Sequence, residues 1–154
     1  MRGSIAGSTF TLVMEQQVPN LKASELRIGN WIQDSNAKGR SCRVLRLNSG
    51  SEFPITYHYE KAFEYSPRLG EGLEGIPISE EWLVKFGFEK SGSIYYSKLE
   101  FTVYFDSIHE LAVTIEVKDV DYQIYLKTIQ FVHQLQNLYI ALTSEELQLK
   151  PQTV

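Results

Sequence analysis

The sequence predicts a single α+β domain in which an antiparallel meander is followed by a long final helix. Three observations favour this fold class. Apolar residues recur at every second position through residues 101–126, which is typical of strands with one buried face. After Lys127 the apolar period changes to that of a helix. A chain of 154 residues, with 43% hydrophobic and 22% charged residues, can bury one core without a disulfide bond or a metal.

Residues 1–18 are predicted to be a leader or a disordered tail that precedes the domain. The stretch Ile5–Met14 is small, mildly apolar and free of charge, but it lacks the strong apolar run and the cleavage pattern of a secretory signal. Met14 offers an internal start. We therefore expect one domain over residues 19–150.

Residues 19–66 are predicted to form a small three-stranded β portion. An extended segment at Leu26–Ile32 is followed by turn-forming residues at 34–39, and the apolar run Cys42–Leu47 is expected to pair back as a hairpin. Alternation of apolar and polar residues then resumes at 53–59. This order is similar to the start of small SH3-like barrels, which is an analogy of pattern only.

Residues 67–77 are expected to be a loop, because glycine and proline dominate the segment. Its G-x-G-x-x-G pattern at residues 70–75 matches the dinucleotide-binding fingerprint in spacing alone. Pro77 interrupts the approach to the next helix, and the glutamates within the pattern would repel a phosphate. No dinucleotide cofactor is therefore predicted. Ser79 is expected to cap a short helix that ends at Gly87.

Residues 78–150 complete the domain as a short helix, the meander and the final helix. The strands are expected near residues 94–96, Phe101–Asp106, Leu111–Val117 and Tyr122–Leu126. Apolar side chains at helical spacing predict the final helix over about Thr128–Thr143.

The final helix carries the strongest candidate for a binding surface. Its 17 residues from Thr128 to Ser144 contain no Lys, Arg, Asp or Glu. Uncharged polar groups suit a desolvated surface, because burying a charge costs more than burying a hydrogen-bonded amide. We predict that one face of this helix binds a protein partner or a second copy of the chain. The alternative is that loops of the same domain cover it. The residues of this face are Gln130, His133, Gln134 and Asn137.

A second candidate surface is basic. Residues 22–46 have a net charge of +4, whereas residues 47–124 have a net charge of −8. The basic stretch suggests an alternative function, the sequestering of a nucleotide signal whose phosphates meet arginines and whose base stacks on an aromatic ring. The residues for this alternative are Trp31, Arg40, Arg43 and Arg46. The stretch is too short for the wide basic face that duplex nucleic acid requires, and a solvated hairpin is the simpler interpretation.

The sequence contains no local motif of an enzyme. The histidines His58, His109 and His133 have no neighbouring ligands at metal spacing, and Cys42 is the single thiol. No Gly-x-Ser-x-Gly elbow occurs. We therefore predict a non-enzymatic binding protein with no catalytic residue, metal or cofactor. A small enzyme with a dispersed site remains an alternative.

Three phrases of the sequence are specific enough to compare with known families. They are ELRIGNW at residues 25–31, IPISEEWLVKFGF at 76–88 and VHQLQNLYIALT at 132–143. The chain resembles small uncharacterised proteins of Bacteroides-group bacteria and their phages or mobile elements over most of residues 21–149. The resemblance implies a cytoplasmic accessory gene product and brings no known activity. A lone cysteine agrees with a reducing compartment, and no apolar run approaches the roughly 20 residues needed to span a bilayer.

Overall fold

The structure is a computed structural model, and it describes most of the predicted domain. The described residues are 21–48, 50, 54–59, 72–93, 95–98, 101–107, 110–116 and 123–151. Within these ranges the chain forms nine strands in two antiparallel sheets, with two α-helices. The predicted α+β class with an antiparallel meander is confirmed. The predicted leader lies outside the described residues.

The first sheet has four strands, and all neighbouring pairs in it are antiparallel. They are β1 (Trp31–Asp34), β2 (Arg40–Leu47), β3 (Ile55–Tyr59) and β4 (Leu73–Gly75), in the spatial order β3-β2-β1-β4. The turn between β1 and β2 is tight because Lys38 and Gly39 adopt positive φ angles of 57° and 69°. The predicted hairpin is thus present, and β3 follows it as expected.

Strand β4 comes from the segment 67–77, which the sequence predicts to be a loop. Its last residue, Gly75, lies where the sheet approaches the start of the final helix. A Cβ atom on Gly75 would lie 2.7 Å from the ring of Phe131 and 3.1 Å from Cε1 of His133. This glycine therefore permits close packing between strand and helix. The loop predicted from the glycine content is therefore wrong for Leu73–Gly75. Residues 67–71 lie outside the described part of the chain.

The second sheet is a five-stranded meander, in which each strand pairs with the next one along the chain. Its strands are β5 (Glu89–Ser91), β6 (Tyr95–Lys98), β7 (Phe101–Ser107), β8 (Glu110–Glu116) and β9 (Gln123–Ile129). The alternation in β7 follows the prediction, since Phe101 and Val103 are buried while Thr102 and Tyr104 are half-buried. The meander therefore has one face in the core.

Two described helices accompany the meander. The helix α1 (Glu80–Lys85) ends where Gly87 adopts a φ of +87°. The helix α2 (Val132–Thr143) begins four residues after the predicted start at Thr128, because β9 continues as a strand to Ile129. Neither described helix has the length and apolarity needed to cross a membrane.

Strand β1 joins two apolar cores. The first core lies on one face of the first sheet and contains Ile32 of β1. The second lies between the meander and both helices, and it contains Trp31 of β1, whose ring centroid is 5.8 Å from that of Trp82 in α1. Successive residues of a strand point to opposite faces. A short strand therefore contributes to both cores and ties the two sheets together.

Candidate functional site

The start of the polar face on α2 lies against the chain itself. His133 is 1% exposed, and its ring stacks on that of Phe131 with 5.7 Å between centroids. The Oε1 atom of Gln134 accepts hydrogen bonds from the backbone N–H groups of Gln130 and Phe131, at 2.9 and 3.3 Å. Both side chains therefore serve the first turn of α2 and its packing.

Burial keeps the His133 imidazole neutral. It lowers the pKa of His133 to about 4, because the imidazolium would lose its hydration. No described residue forms a hydrogen bond with its Nδ1 atom. The ring thus acts mainly as an apolar filler between α2 and β4.

Two amides further along the same face hold the segment that precedes β1. Gln136 accepts a hydrogen bond from the backbone N–H of Trp31 at 2.8 Å. It also donates one at 3.3 Å to the carbonyl of Gly29. Asn137 accepts a hydrogen bond from the side chain of Asn30 at 3.0 Å and donates one to the carbonyl of Glu25 at 2.9 Å. We call these hydrogen bonds the amide clamp. They connect α2 to the first sheet.

The amide clamp leaves little space for a ligand. The cavity beside Gln136 and Asn137 measures about 20 Å³, which is room for about one water molecule. Of the predicted partner-binding residues, Gln130 is exposed, and the others are buried or half-buried. The chain itself covers much of this face, as in the alternative that the sequence leaves open. The sequence analysis did not single out Gln136, although it lies in the same uncharged stretch.

The residues predicted for a nucleotide ligand do not form one site. Trp31 is 6% exposed and packs in the second core, so its ring is not open to a stacking base. The guanidinium of Arg40 lies 4.3 Å from the ring centroid of Tyr59. Arg43 points to the opposite side of β2 and lies 3.7 Å from a carboxylate of the C-terminal tail. Arg46 is exposed.

A buried carboxylate lies in the first core. Oδ2 of Asp34 accepts hydrogen bonds from the phenols of Tyr57 and Tyr59 at 2.9 and 2.6 Å, and Oδ1 accepts one from the N–H of Asn36 at 2.9 Å. Burial alone would raise the pKa of Asp34, but these hydrogen bonds hold it below its usual value. Burial and the Asp34 charge raise the pKa of the Cys42 thiol to about 12. Such a thiol is unreactive, and the network is structural.

An open cleft of about 550 Å³ lies between the end of α1, the meander and the segment that follows α2. We call it the tail cleft. Its lining residues are Gly87, Glu89, Ser97, Lys98, Tyr139, Glu145, Glu146 and Gln148. Pockets for small ligands typically enclose about 300 to 1,000 Å³. The tail cleft is therefore large enough for such a ligand.

Lys98 brings a partly desolvated ammonium group to the tail cleft. Its Nζ atom donates a hydrogen bond to the carbonyl of Phe86, at the end of α1, and lies 5.9 Å from the ring centroid of Tyr139. Burial and the nearby charge of Lys150 lower the pKa of Lys98. The ammonium is thus fixed in place by the helix end.

Tyr139 brings a phenol to the same cleft. The residue is 2% exposed, and its ring centroid lies 5.1 Å from that of Phe101 in the second core. Burial, and then the charge of Glu145, raise the pKa of its hydroxyl. Glu145 also lines the cleft. Within the described residues, no hydrogen bond reaches this hydroxyl.

The tail cleft is acidic. Its lining holds three carboxylates, from Glu89, Glu145 and Glu146, and one ammonium group. Glu146 lies 3.7 Å from Arg43, whereas Glu89 and Glu145 form no ion pair with any described residue. In the described part of the chain, no three His, Cys, Asp or Glu side chains converge to hold a metal ion. The arrangement can accept hydrogen bonds from a ligand at several separate points.

Sequence reasoning did not identify the tail cleft. Its lining residues are spread from residue 87 to residue 148, and only the fold brings them together. One signal was available: Glu145 and Glu146 directly follow the uncharged helix, at the end where the helix dipole disfavours negative charge.

No family model, curated protein or solved structure matches the chain.

Proposed function

We propose that the chain is a non-enzymatic binding protein that holds a small polar ligand in the tail cleft. The observation that carries this proposal is the position of Tyr139. Its side chain is 2% exposed and lines an open cleft, and its hydroxyl has no hydrogen-bond partner among the described residues. This hydroxyl is not among the buried atoms that lack a partner, so it is open to the cleft, where a ligand group can replace water on it. A ligand with a hydrogen-bonding group would supply that partner.

The surroundings of Tyr139 support the same proposal. Burial lowers the pKa of Lys98 and raises the pKa of Tyr139, and perturbed pKa values concentrate at functional sites. Binding is favoured over catalysis because the Lys98 ammonium donates to the carbonyl of Phe86. An ammonium tied to a helix end is not free to act as a nucleophile or a base.

The origin and location of the protein are supported by the sequence alone. The phrases at residues 25–31, 76–88 and 132–143 resemble those of proteins from Bacteroides-group bacteria and their phages or mobile elements. The lone Cys42 agrees with a reducing compartment. We therefore propose an accessory protein of phage or mobile-element origin that acts in a bacterial cytoplasm.

Titration of the isotope-labelled full chain, followed by amide NMR, tests the binding role. The probes are butylguanidinium, pentanoate and a cyclic dinucleotide. We expect butylguanidinium or pentanoate to shift the amide signals of Lys98 and Tyr139, while the signals of Arg40 and Arg46 stay in place. Tyr139→Phe should weaken this binding, because it removes the unpartnered hydroxyl. The matched change Tyr95→Phe, on a tyrosine that is 43% exposed, should leave it unchanged.

Two results would contradict the proposal. The first is that no probe moves the signals of the tail cleft. The second is that the cyclic dinucleotide shifts Arg40 and Arg46 and leaves Lys98 and Tyr139 unmoved, which would favour the nucleotide alternative. A protein partner bound to the polar face of α2 would compete for the side chain of Gln134. That side chain already accepts hydrogen bonds at the start of the helix, so this surface is not part of the proposal.

A further inference from the structure

We infer that the tail cleft binds an organic cation, a guanidinium or ammonium group on a flexible apolar chain; this inference rests on the proposed function. Carboxylates line the cleft on two sides, with Glu89 on the meander and Glu145 and Glu146 on the segment after α2. Together with one ammonium group, these three carboxylates give the lining a net charge of −2. A positive charge between them would relieve their mutual repulsion.

The end of α2 adds to this negative potential. Glu145 and Glu146 follow the C-terminus of a 12-residue helix, where Ser144 adopts a φ of +61°. The helix dipole places a partial negative charge at this end, where basic residues are normally favoured. The last turn of α2 contains no basic residue. Arg43 lies 3.7 Å from Glu146, whereas Glu145 forms no ion pair with a described residue, so a further cation is favoured beside Glu145.

Two lysines lie near these carboxylates without forming an ion pair with Glu89 or Glu145. Lys98 donates its hydrogen bond to a carbonyl at the end of α1, and the backbone N–H of Lys150 donates to the carbonyl of Lys85 at 2.8 Å. Both residues are thus held at the end of α1. Neither Glu89 nor Glu145 forms an ion pair within the described ranges. The two carboxylates remain available to a cation from outside the chain.

The spacing of the acceptors favours an organic cation over a metal ion. No three potential metal ligands converge among the residues that the structure describes. A guanidinium or a chain with several N–H donors can instead meet separate carboxylates with charge-assisted hydrogen bonds. The hydroxyl of Tyr139 can accept a hydrogen bond from one further N–H of the same ligand.

Three probes of similar shape test the charge of the ligand. Butylguanidinium is a cation, butylurea is its neutral counterpart, and pentanoate is an anion. Calorimetric titration of the full chain should show the cation binding about tenfold more tightly than the other two. Glu89→Gln combined with Glu145→Gln should weaken the cation about tenfold and reduce its dependence on salt. The matched control Glu81→Gln, on an exposed residue of α1 outside the cleft, should stay within about twofold.

A peptide probe separates the two sources of such a cation. A blocked Gly-Arg-Gly peptide presents the arginine side chain of a protein partner, whereas butylguanidinium represents a free small molecule. Tighter binding of the peptide would assign the cleft to an arginine on another protein. Tighter binding of butylguanidinium would assign it to a free amine or guanidine. Either order supports a cationic ligand.

The inference and the proposed function fail in different ways. Tighter binding of pentanoate than of butylguanidinium at the cleft would overturn the inference and leave the binding role intact. Unchanged cation affinity in the Glu89→Gln, Glu145→Gln variant would do the same. If none of the probes perturbs the cleft, the proposed function fails and the inference fails with it.

Discussion

The two ends of α2 use polar side chains in opposite ways. At its start, the polar groups are uncharged and the chain covers them: His133 is buried, and the amide clamp engages Gln136 and Asn137. Beyond its end, Glu145 and Glu146 are charged, exposed and line an open cleft. One helix therefore borders an internal contact at its first turns and a candidate ligand site at its last.

This difference teaches that the type of polar group indicates what lies against it. Amides can satisfy backbone groups of the same chain without the large cost of burying a charge. Carboxylates near a helix C-terminus stay hydrated or attract a cation. The absence of charge along residues 128–144 thus indicates contact within the domain, and the return of charge at Glu145 indicates a surface that is open to other molecules.

The largest expected effect comes from a charge placed at the covered end. His133→Glu would bury a carboxylate beside Phe131 and β4, so the free energy of unfolding should fall by about 4 kcal/mol. Gln134→Glu is the matched control, because a carboxylate at residue 134 can accept the same N–H groups and is favoured by the positive helix end. Urea unfolding followed by circular dichroism measures both variants. Equal stability of the two would show that the start of α2 is not covered.

The second largest effect is a loss of folding stability at low pH, because protonation of His133 at the start of α2 is unfavourable in the folded chain. Burial lowers the pKa of His133 from 6.5 to about 4, so between these values the unfolded chain binds a proton that the folded chain does not. Stability from this group is complete above pH 6.5, falls as the pH decreases toward 4 and then levels off, with a total loss of about 3 kcal/mol. Unfolding experiments at a series of pH values measure this loss.

The variant His133→Gln isolates the contribution of His133 from that of other acidic groups. The difference in stability between the native chain and this variant should change across the interval from pH 6.5 to 4. A pH-independent difference for His133→Gln would contradict the burial of a neutral imidazole.

The sequence was sufficient to predict the elements whose cause is local. Alternation in residues 101–126 predicted the meander, because one buried face requires apolar residues at every second position. The helical spacing from Val132 to Leu142 predicted α2 for the same kind of reason. Strand β4 was not predicted, because its glycines suggested a loop. Glycine is required at residue 75 because the ring of Phe131 packs too closely for a side chain there. That contact joins residues far apart in the chain, so no local pattern reports it.

The candidate site depended on such distant contacts even more strongly. The uncharged stretch of α2 correctly suggested that something lies against its polar face, but the stretch itself does not identify the covering segment. The amide clamp shows that this segment includes Asn30 and Trp31. The tail cleft brings together Glu89, Tyr139 and Glu145, and no local pattern links residues at these separations.

A smaller effect is expected within the amide clamp, where Asn30 and Asn137 share one hydrogen bond of 3.0 Å. Asn30→Ala, Asn137→Ala and the double variant form a double-mutant cycle, and we expect a coupling free energy of about 1 kcal/mol. Urea unfolding measures the four proteins. The pair Asn30 and Ala141 is the matched control, because Ala141 is exposed on α2, and Ala141→Gly should add to Asn30→Ala without coupling. A coupling near zero between Asn30 and Asn137 would mean that this hydrogen bond of the clamp does not stabilise the fold.

The smallest effect on stability is expected at the open end, where removing a charge should alter titration and not folding. Burial and the charge of Glu145 raise the pKa of Tyr139, so Glu145→Gln should move this pKa back toward its usual value. Phenolate absorbance during an alkaline titration measures the change, with Tyr139→Phe identifying the signal and Glu81→Gln as the control. The melting temperature of Glu145→Gln should stay close to that of the native chain, because an exposed carboxylate without an ion pair among the described residues contributes little to folding. A large drop in melting temperature would instead make Glu145 part of the internal packing, and the contrast between the two ends of α2 would disappear.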